Sequence, residues 1–334
     1  MEALISPVRE SAEIKKLIKG GYPAGVYGVS RSVEPLIMEA LRSIDKTSEK
    51  GDNPFSLVVT YDAARADKLL QDYRFLERDV YLYPAKDALF YYADVHGNIT
   101  SAKRLEILKR IYRKEQTVII TTIDGLMERL PDMKYFKRHA FTLSVGEEVD
   151  MDEVKRRLIM LGYRNVTVVE SRGQFSVRGG IIDIYPLTEE CPCRVEFFGD
   201  EIESIRYFDE STQRSIESVD RFDILPSSEY VLSLARIRRG INAIEEEGER
   251  VADVLKKNFQ TESYARLKAH VKQITEEVME YNSTSGLDSL VTYFFTDTVS
   301  FLDYLPEDTP IYIDNLAKVE ERAQAHINEF SISM

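Results

Sequence analysis

The chain has 334 residues, of which 43% are hydrophobic and 30% are charged, and this composition is typical of a globular protein with two or three domains. Its formal net charge of -13 argues against a protein that grips nucleic acid by itself, because phosphate binding requires a basic surface. The sequence shows no apolar run of about 18 residues and no signal-peptide pattern, so we expect neither a membrane span nor secretion, but a cytoplasmic protein.

The first 135 residues carry strands that alternate with helices. Apolar patterns predict helices at 8–19, around 36–44, at 62–76, from 100 onward and up to Leu130, and strands within 23–28 and at 56–60, 80–84 and 117–121. The run at 56–60 is continuously apolar, which is typical of a strand buried on both faces. Such alternation predicts right-handed crossovers and a parallel sheet.

The segment from Gly25 to Ser32 stands where a phosphate-binding loop would lie in such a domain. The pattern G-x-x-x-x-G-K-[ST] can be laid on it, but Ser30 replaces the second glycine and Arg31 replaces the lysine. A working site would also need an acidic magnesium ligand after a later strand, where threonines stand at 121–122. A working nucleotide site and a nucleotide-binding fold without nucleotide are both possible, and the sequence favours the second.

An aromatic loop, Phe90-Tyr91-Tyr92, follows the strand predicted at 80–84. Interleaved aromatic residues can stack on unpaired bases, but the acidic Asp87 and Asp94 accompany this loop. Packing or domain contact is therefore the favoured role.

After Pro131 the pattern becomes that of an α+β domain. Strands are predicted at 141–145, 165–169, 174–178, 181–185 and 194–198 and from 201 onward, with a helix at 151–162. Phe175 and Val177 alternate with outward-facing residues, so Arg178 points away from the core. Val195 and Phe197 likewise point inward and leave Arg194 on the outer side.

Phe198 is therefore a large aromatic residue on the solvent side of the predicted sheet, with Arg194 beside it and Arg178 across the sheet. An arginine next to an exposed aromatic residue is typical of a protein-binding hot spot. Another part of the chain could instead cover Phe198 and leave the arginines as ordinary surface charge. Because all three residues point away from the core, we expect their truncation to leave folding nearly intact.

The run from Arg172 to Ser215, which contains VRGGIIDIYP, RVEFFGDEIESIR and TQRS, resembles the second domain of the bacterial transcription-repair coupling factors (Mfd). That domain is homologous to one in the excinuclease subunit UvrB, and it binds the excinuclease subunit UvrA. The resemblance implies that Arg178, Arg194 and Phe198 are contact residues for UvrA. The first domain is similar to the helicase-like domain of UvrB with a degenerate loop, and the short connection after Tyr92 favours Mfd over UvrB.

The remainder of the chain is predicted to be helical and charged, with a long amphipathic helix at 261–281. A strand at 310–315 most simply joins the first sheet, which makes the second domain an insertion. We therefore predict an α/β fold with three segments, namely a degenerate P-loop helicase-like domain at 1–135, an inserted α+β UvrA-binding domain at 136–228, and a return to the first domain at 229–334.

Cys191 and Cys193 flank Pro192, a spacing that suits neither a disulfide nor a complete zinc site.

We predict a non-catalytic recruitment module that has no cofactor, metal or catalytic residue in this region. The alternative is a UvrB-like, ATP-dependent subunit that processes DNA damage. A domain that restrains a translocase is compatible with recruitment. The resemblance implies a longer protein, in which further domains bind RNA polymerase and translocate DNA with ATP and magnesium.

Overall fold

The computed structural model of the protein describes residues 2–20, 23–30, 33–45, 53–86, 94–281 and 290–333. The helices are α1 Glu2–Arg9, α2 Ala12–Gly20, α3 Glu34–Asp45, α4 Ala63–Tyr73, α5 Asp94–Arg113, α6 Ile123–Met127, α7 Met133–His139, α8 Met151–Met160, α9 Leu234–Lys257, α10 Thr261–Tyr281, α11 Val291–Phe294 and α12 Leu316–Ser333, with a 3-10 helix at Phe301–Tyr304. The strands are β1 Phe55–Thr60, β2 Val80–Tyr83, β3 Thr117–Thr122, β4 Leu130–Pro131, β5 Phe141–Ser144, β6 Arg164–Asn165, β7 Gln174–Arg178, β8 Ile181–Tyr185, β9 Cys193–Phe198, β10 Glu201–Phe208, β11 Ser215–Ser218, β12 Arg221–Ile224, β13 Thr298–Val299 and β14 Ile311–Ile313.

The chain divides into two compact units. The first comprises Met1–Lys86, Glu106–Glu128 and Ser300–Met334, and the second comprises Asp87–Leu105 and Arg129–Val299. The domain boundaries at 135 and 228 stay predictions. Among the described residues, no helix combines the length and apolar character needed to cross a membrane.

A parallel sheet with the strand order β14-β1-β3-β2 organises the first unit. β1 and β3 are buried along their whole length, as expected for apolar strands with neighbours on both edges. Met38, Leu69 and Tyr73 of the flanking helices pack against Val58 and Ile120 of these strands. The strand predicted near 310 forms and pairs with β1 in the same sheet.

Two predictions for the beginning of the first unit are wrong. The helix predicted at 8–19 is divided into α1 and α2, because the hydroxyl of Ser11 accepts a hydrogen bond from the amide of Ile14 and begins a new helix. The strand predicted within 23–28 does not form, and residues 23–28 are exposed. Gly28 in this segment has a φ of +75°, which is incompatible with a continuous strand.

A six-stranded sheet with the order β11-β10-β9-β8-β7-β6 organises the second unit. Its neighbours pair antiparallel, except that β6 runs parallel to β7. Val154 and Leu158 of α8 pack on one side of this sheet together with Phe175, Ile182 and Val195. The strand predicted at 165–169 is shorter than expected and forms only as β6. The predicted fold class is confirmed, since a parallel sheet and a separate, mainly antiparallel sheet are both present.

Helices α9, α10 and α11 form a second core within the same unit. Ile241 and Ile244 of α9 pack with Val278 of α10 and Phe294 of α11. A Cβ atom on Gly240 of α9 would lie only 2.2 Å from Cδ1 of Phe294 of α11, so this glycine allows α9 and α11 to approach each other closely. The helix predicted at 261–281 is confirmed as α10.

Candidate partner-binding surface

The outer face of the six-stranded sheet is the side opposite the core that contains Phe175, Ile182 and Val195. On β7 to β10 it presents Ser176, Arg178, Asp183, Tyr185, Arg194, Glu196, Phe198, Ser204, Arg206 and Phe208. Strand pleating places these side chains on one side, because successive residues of a strand point to opposite faces. The three residues predicted from the sequence, Arg178, Arg194 and Phe198, therefore share one face of one sheet.

Two glycines shape the turn that follows Arg178. Gly179 has a φ of +59°, a conformation that side chains with a Cβ atom rarely adopt. A Cβ atom on Gly180 would lie 2.8 Å from the backbone oxygen of Phe197, and the Phe197 amide donates a 2.7 Å hydrogen bond to the Gly180 oxygen. The turn is therefore tied to β9, which keeps the end of β7 close to the centre of the sheet.

Asp183 lies at the centre of the outer face, and only 1% of its surface is exposed. Its carboxylate accepts a hydrogen bond of 2.7 Å from Nη2 of Arg178. It also accepts hydrogen bonds of 2.6 Å and 2.9 Å from Nε and Nη2 of Arg194. A buried carboxylate is stable only when it is paired and hydrogen-bonded, so the two arginines compensate its desolvation.

Arg194 is held on several sides. Besides pairing with Asp183, its Nη2 donates a 2.8 Å hydrogen bond to Oε1 of Gln213, and its Cζ lies 4.4 Å from the ring centroid of Phe208. The hydrogen bond with Asp183 raises the pKa of Arg194. Only 14% of the side chain is exposed, so Arg194 is not an ordinary surface residue, and we expect its truncation to cost more stability than the alternation pattern suggested.

Arg178 and Phe198 are the accessible residues of the three. The Arg178 side chain is 45% exposed although one of its nitrogens is bound to Asp183. Phe198 is 78% exposed, so no described part of the chain covers it. It ends β9 directly before Gly199, whose φ of +65° turns the chain into β10. The outer face therefore combines an exposed aromatic ring with guanidinium groups, a combination that is typical of protein-binding hot spots.

Sequence analysis missed two residues of this surface, Asp183 and Gln213. Asp183 stands between Ile182 and Ile184, which both face the core, so the same alternation that identified Arg194 would have placed Asp183 on the outer face. Gln213 gives no comparable signal, because it lies in the loop between β10 and β11. Its backbone φ of +59° is uncommon for a residue with a side chain.

The degenerate nucleotide loop is described only in part, since Arg31 and Ser32 lie outside the described residues, as does the aromatic loop at 90–92. Gly25 lies in an exposed irregular segment, where a Cβ atom would meet the Tyr27 ring at 2.9 Å. The Ser30 backbone oxygen accepts a 2.8 Å hydrogen bond from the Val33 amide. The described part of the loop therefore follows no strand, unlike a phosphate-binding loop.

The carboxyl ends of β1 and β14 carry a group of polar residues that we call the Arg65 cluster, namely Arg65, Asp314, Thr60 and Glu34. Nε of Arg65 donates a 2.8 Å hydrogen bond to Oδ2 of Asp314, which also accepts a 2.8 Å bond from the Thr60 hydroxyl. Arg65 also pairs with Glu34. Burial alone would lower the pKa of Arg65, but the hydrogen bond and charge of Asp314 raise it. Ligands of open parallel sheets bind at this edge, and here internal ion pairs lie at it.

The amino-acid sequence of this chain is similar to one known protein family and to several curated proteins. The model of the UvrB interaction domain family matches residues 141–230, which include the outer face. The transcription-repair-coupling factor of Bacillus subtilis strain 168 is 30% identical over an alignment of 342 positions, which covers 99% of this chain and 28% of the relative. The factors of Staphylococcus aureus strain RF122 and Staphylococcus haemolyticus are 29% and 30% identical over 80% and 81% of the chain.

The chain spans about a quarter of the length of these curated relatives, 28% of the first and 23% of the other two. The alignment with the Bacillus protein nevertheless extends over both compact units, and the family match lies within the second unit. The chain is therefore similar to the transcription-repair coupling factors along nearly its whole length, and its residues 141–230 match the UvrB interaction domain family.

Proposed function

We propose that this chain is a recruitment module of transcription-repair coupling, in which the outer face of the six-stranded sheet binds UvrA. In this function the chain brings nucleotide excision repair to a stalled RNA polymerase and performs no catalysis itself. The observation that carries the proposal is the exposure of Phe198, 78%, beside the partly exposed Arg178. The match to the UvrB interaction domain family supports it, because the matched residues 141–230 contain this surface.

The chemistry of the surface indicates how a partner would be recognised. The Phe198 ring offers an apolar contact that does not depend on ionic strength, whereas Arg178 offers a planar group of N–H donors that fits a carboxylate. We therefore expect the UvrA surface to combine an apolar pocket with acidic residues. Contacts made by Arg178 weaken as salt rises, and those made by Phe198 persist.

A titration of the 334-residue chain with UvrA by calorimetry tests the proposal. We expect Phe198→Ala to weaken binding by about 2 kcal/mol or more, roughly 30-fold, with an unchanged melting temperature. Phe75→Ala is the matched control, because Phe75 is equally exposed, at 78%, but lies in the first unit. Loss of binding in both variants, or in neither, would contradict the assignment of this surface.

The whole protein would add the remaining partners. By its relation to transcription-repair coupling factors, we propose that a longer protein containing this chain binds RNA polymerase and DNA through further domains, and that ATP and magnesium act there. A pull-down of RNA polymerase with the present chain tests this division. Polymerase binding by the chain alone would place that function within residues 1–334.

A further inference from the structure

The two arginines of the outer face occupy different environments although they contact the same carboxylate. Oδ2 of Asp183 accepts hydrogen bonds from both Arg178 and Arg194, at 2.7 Å and 2.9 Å, whereas Oδ1 accepts from Arg194 alone among the described residues. The guanidinium groups of Arg178 and Arg194 therefore converge on one oxygen. Two like charges in such positions repel each other, and attraction to the carboxylate between them offsets this repulsion.

Arg194 makes more internal contacts than Arg178 does. Nε and Nη2 of Arg194 donate hydrogen bonds to Asp183, and Nη2 also donates to Gln213. The Arg194 guanidinium lies over the Phe208 ring, and 14% of the side chain is exposed. Arg178 makes one hydrogen bond to Asp183 through Nη2 and exposes 45% of its side chain. Arg178 therefore retains accessible donor groups, whereas Arg194 is largely occupied by internal contacts.

We propose that Asp183 is the positioning residue of this surface: it orients Arg178 toward the partner, while Arg194, which is itself held by Gln213, keeps Asp183 in place. Arg178 then forms the direct ion pair with a carboxylate of the partner. The burial of Asp183 favours this role, because a carboxylate that is 1% exposed cannot contact a partner itself. An arginine that is already oriented loses less side-chain entropy when the complex forms. This inference rests on the proposed function.

Substitution of Asp183 by Asn separates positioning from simple electrostatics. Asn has nearly the same shape, but it carries no negative charge between the two guanidinium groups, and its amide nitrogen cannot accept the hydrogen bond from Nε of Arg194. If Asp183 acted only as a negative charge near an acidic partner, Asp183→Asn would tighten binding by removing repulsion. Positioning requires the opposite sign, and we expect UvrA binding to weaken by roughly tenfold or more.

Glu153→Gln is the matched control. Glu153 is also a carboxylate of the second unit that pairs with an arginine, Arg156, but it lies on α8, which packs on the side of the sheet opposite the outer face. We expect Glu153→Gln to leave UvrA binding unchanged. Equal weakening in Glu153→Gln and Asp183→Asn, or unchanged binding in Asp183→Asn, would overturn the positioning role.

A second measurement does not depend on UvrA. Nitrogen relaxation of the Arg178 Nε–Hε group reports its order on the picosecond to nanosecond timescale in the free protein. We expect an ordered group in the original chain and a disordered one in Asp183→Asn. An equally mobile group in both proteins would overturn the inference. If the original chain fails to bind UvrA, the proposed function is wrong, and this measurement still decides whether Asp183 positions Arg178.

A milder variant covers the case in which Asp183→Asn does not fold. Gln213→Asn removes the contact to Nη2 of Arg194, and asparagine tolerates the φ of +59° at this position. We expect a folded protein with a less ordered Arg178 and a severalfold weaker affinity for UvrA. Unchanged order and affinity in this folded variant would contradict the proposal.

Discussion

The outer face of the six-stranded sheet and the Arg65 cluster of the parallel sheet use the same chemistry for different purposes. In both, arginine binds a buried aspartate, Asp183 in the first and Asp314 in the second, with exposures of 1% and 5%. Arg65 is itself buried, with 6% of its surface exposed, whereas the Arg178 side chain is 45% exposed. An arginine–aspartate pair therefore becomes a candidate binding site only where the arginine remains accessible beside an exposed group such as Phe198.

The comparison predicts that the Arg65 cluster supports folding much more strongly than Arg178 does. We expect Arg65→Ala to lower the free energy of unfolding by about 3 kcal/mol or more, because it leaves Asp314 buried without its charge partner. Urea denaturation followed by circular dichroism measures the change. Lys68→Ala is the control, since Lys68 lies on the same helix and forms an exposed pair with Asp72. A loss below about 1 kcal/mol in Arg65→Ala would remove the distinction between the two regions.

Within the outer face, we likewise expect the more buried arginine, Arg194, to contribute more to stability than the more exposed Arg178. We expect Arg194→Ala to cost about 2 kcal/mol of stability, because Asp183 loses two of its hydrogen bonds and keeps only the one from Arg178. Arg178→Ala should cost no more than about 1 kcal/mol, since Arg194 still pairs with the carboxylate. Parallel urea titrations compare the two variants, and equal costs would contradict the assigned difference in burial.

The exposed ion pair between Lys134 and Asp297 should have a smaller effect on stability than the buried pairs. Hydrogen bonds from Lys134 and Tyr135 lower the pKa of Asp297 to about 2. A lowered pKa in the folded state contributes stability that is complete above the unfolded value, about 3.9, and is lost as the pH falls toward 2. As the pH falls from about 3.9 toward 2, we expect the midpoint of urea unfolding to decrease less in Asp297→Asn than in the original chain. The change should be small because the Asp297 side chain is 41% exposed, and a steeper decline in the variant would reverse the assigned sign.

The last prediction concerns a ligand that should have no effect at all. Internal ion pairs lie at the carboxyl ends of β1 and β14, and Ser30 and Arg31 replace the glycine and lysine of a phosphate-binding loop. We therefore expect calorimetry with ATP and magnesium to show no binding to this chain. Micromolar affinity would contradict this expectation and would favour the alternative of a UvrB-like, ATP-dependent subunit.

Features that depend on local periodicity could be predicted from the amino-acid sequence alone. Continuous apolar runs identified β1 and β3 because a strand buried on both faces has no polar side to show. Alternation identified the outward direction of Arg178, Arg194 and Phe198 because a strand repeats every two residues. The same rule would have identified Asp183. These conclusions need no knowledge of which strands are neighbours.

Features that depend on residues distant in the chain could be seen only in the folded protein. The Arg65–Asp314 pair joins positions 249 residues apart, and no local pattern encodes such a contact. The 14% exposure of Arg194 depends on Gln213 and Phe208, which reach it only after β9 and β10 have paired. The exposure of Phe198 likewise required knowing that no described segment covers it. Alternation gives the direction of a side chain, whereas its burial and partners depend on how the rest of the chain packs around it.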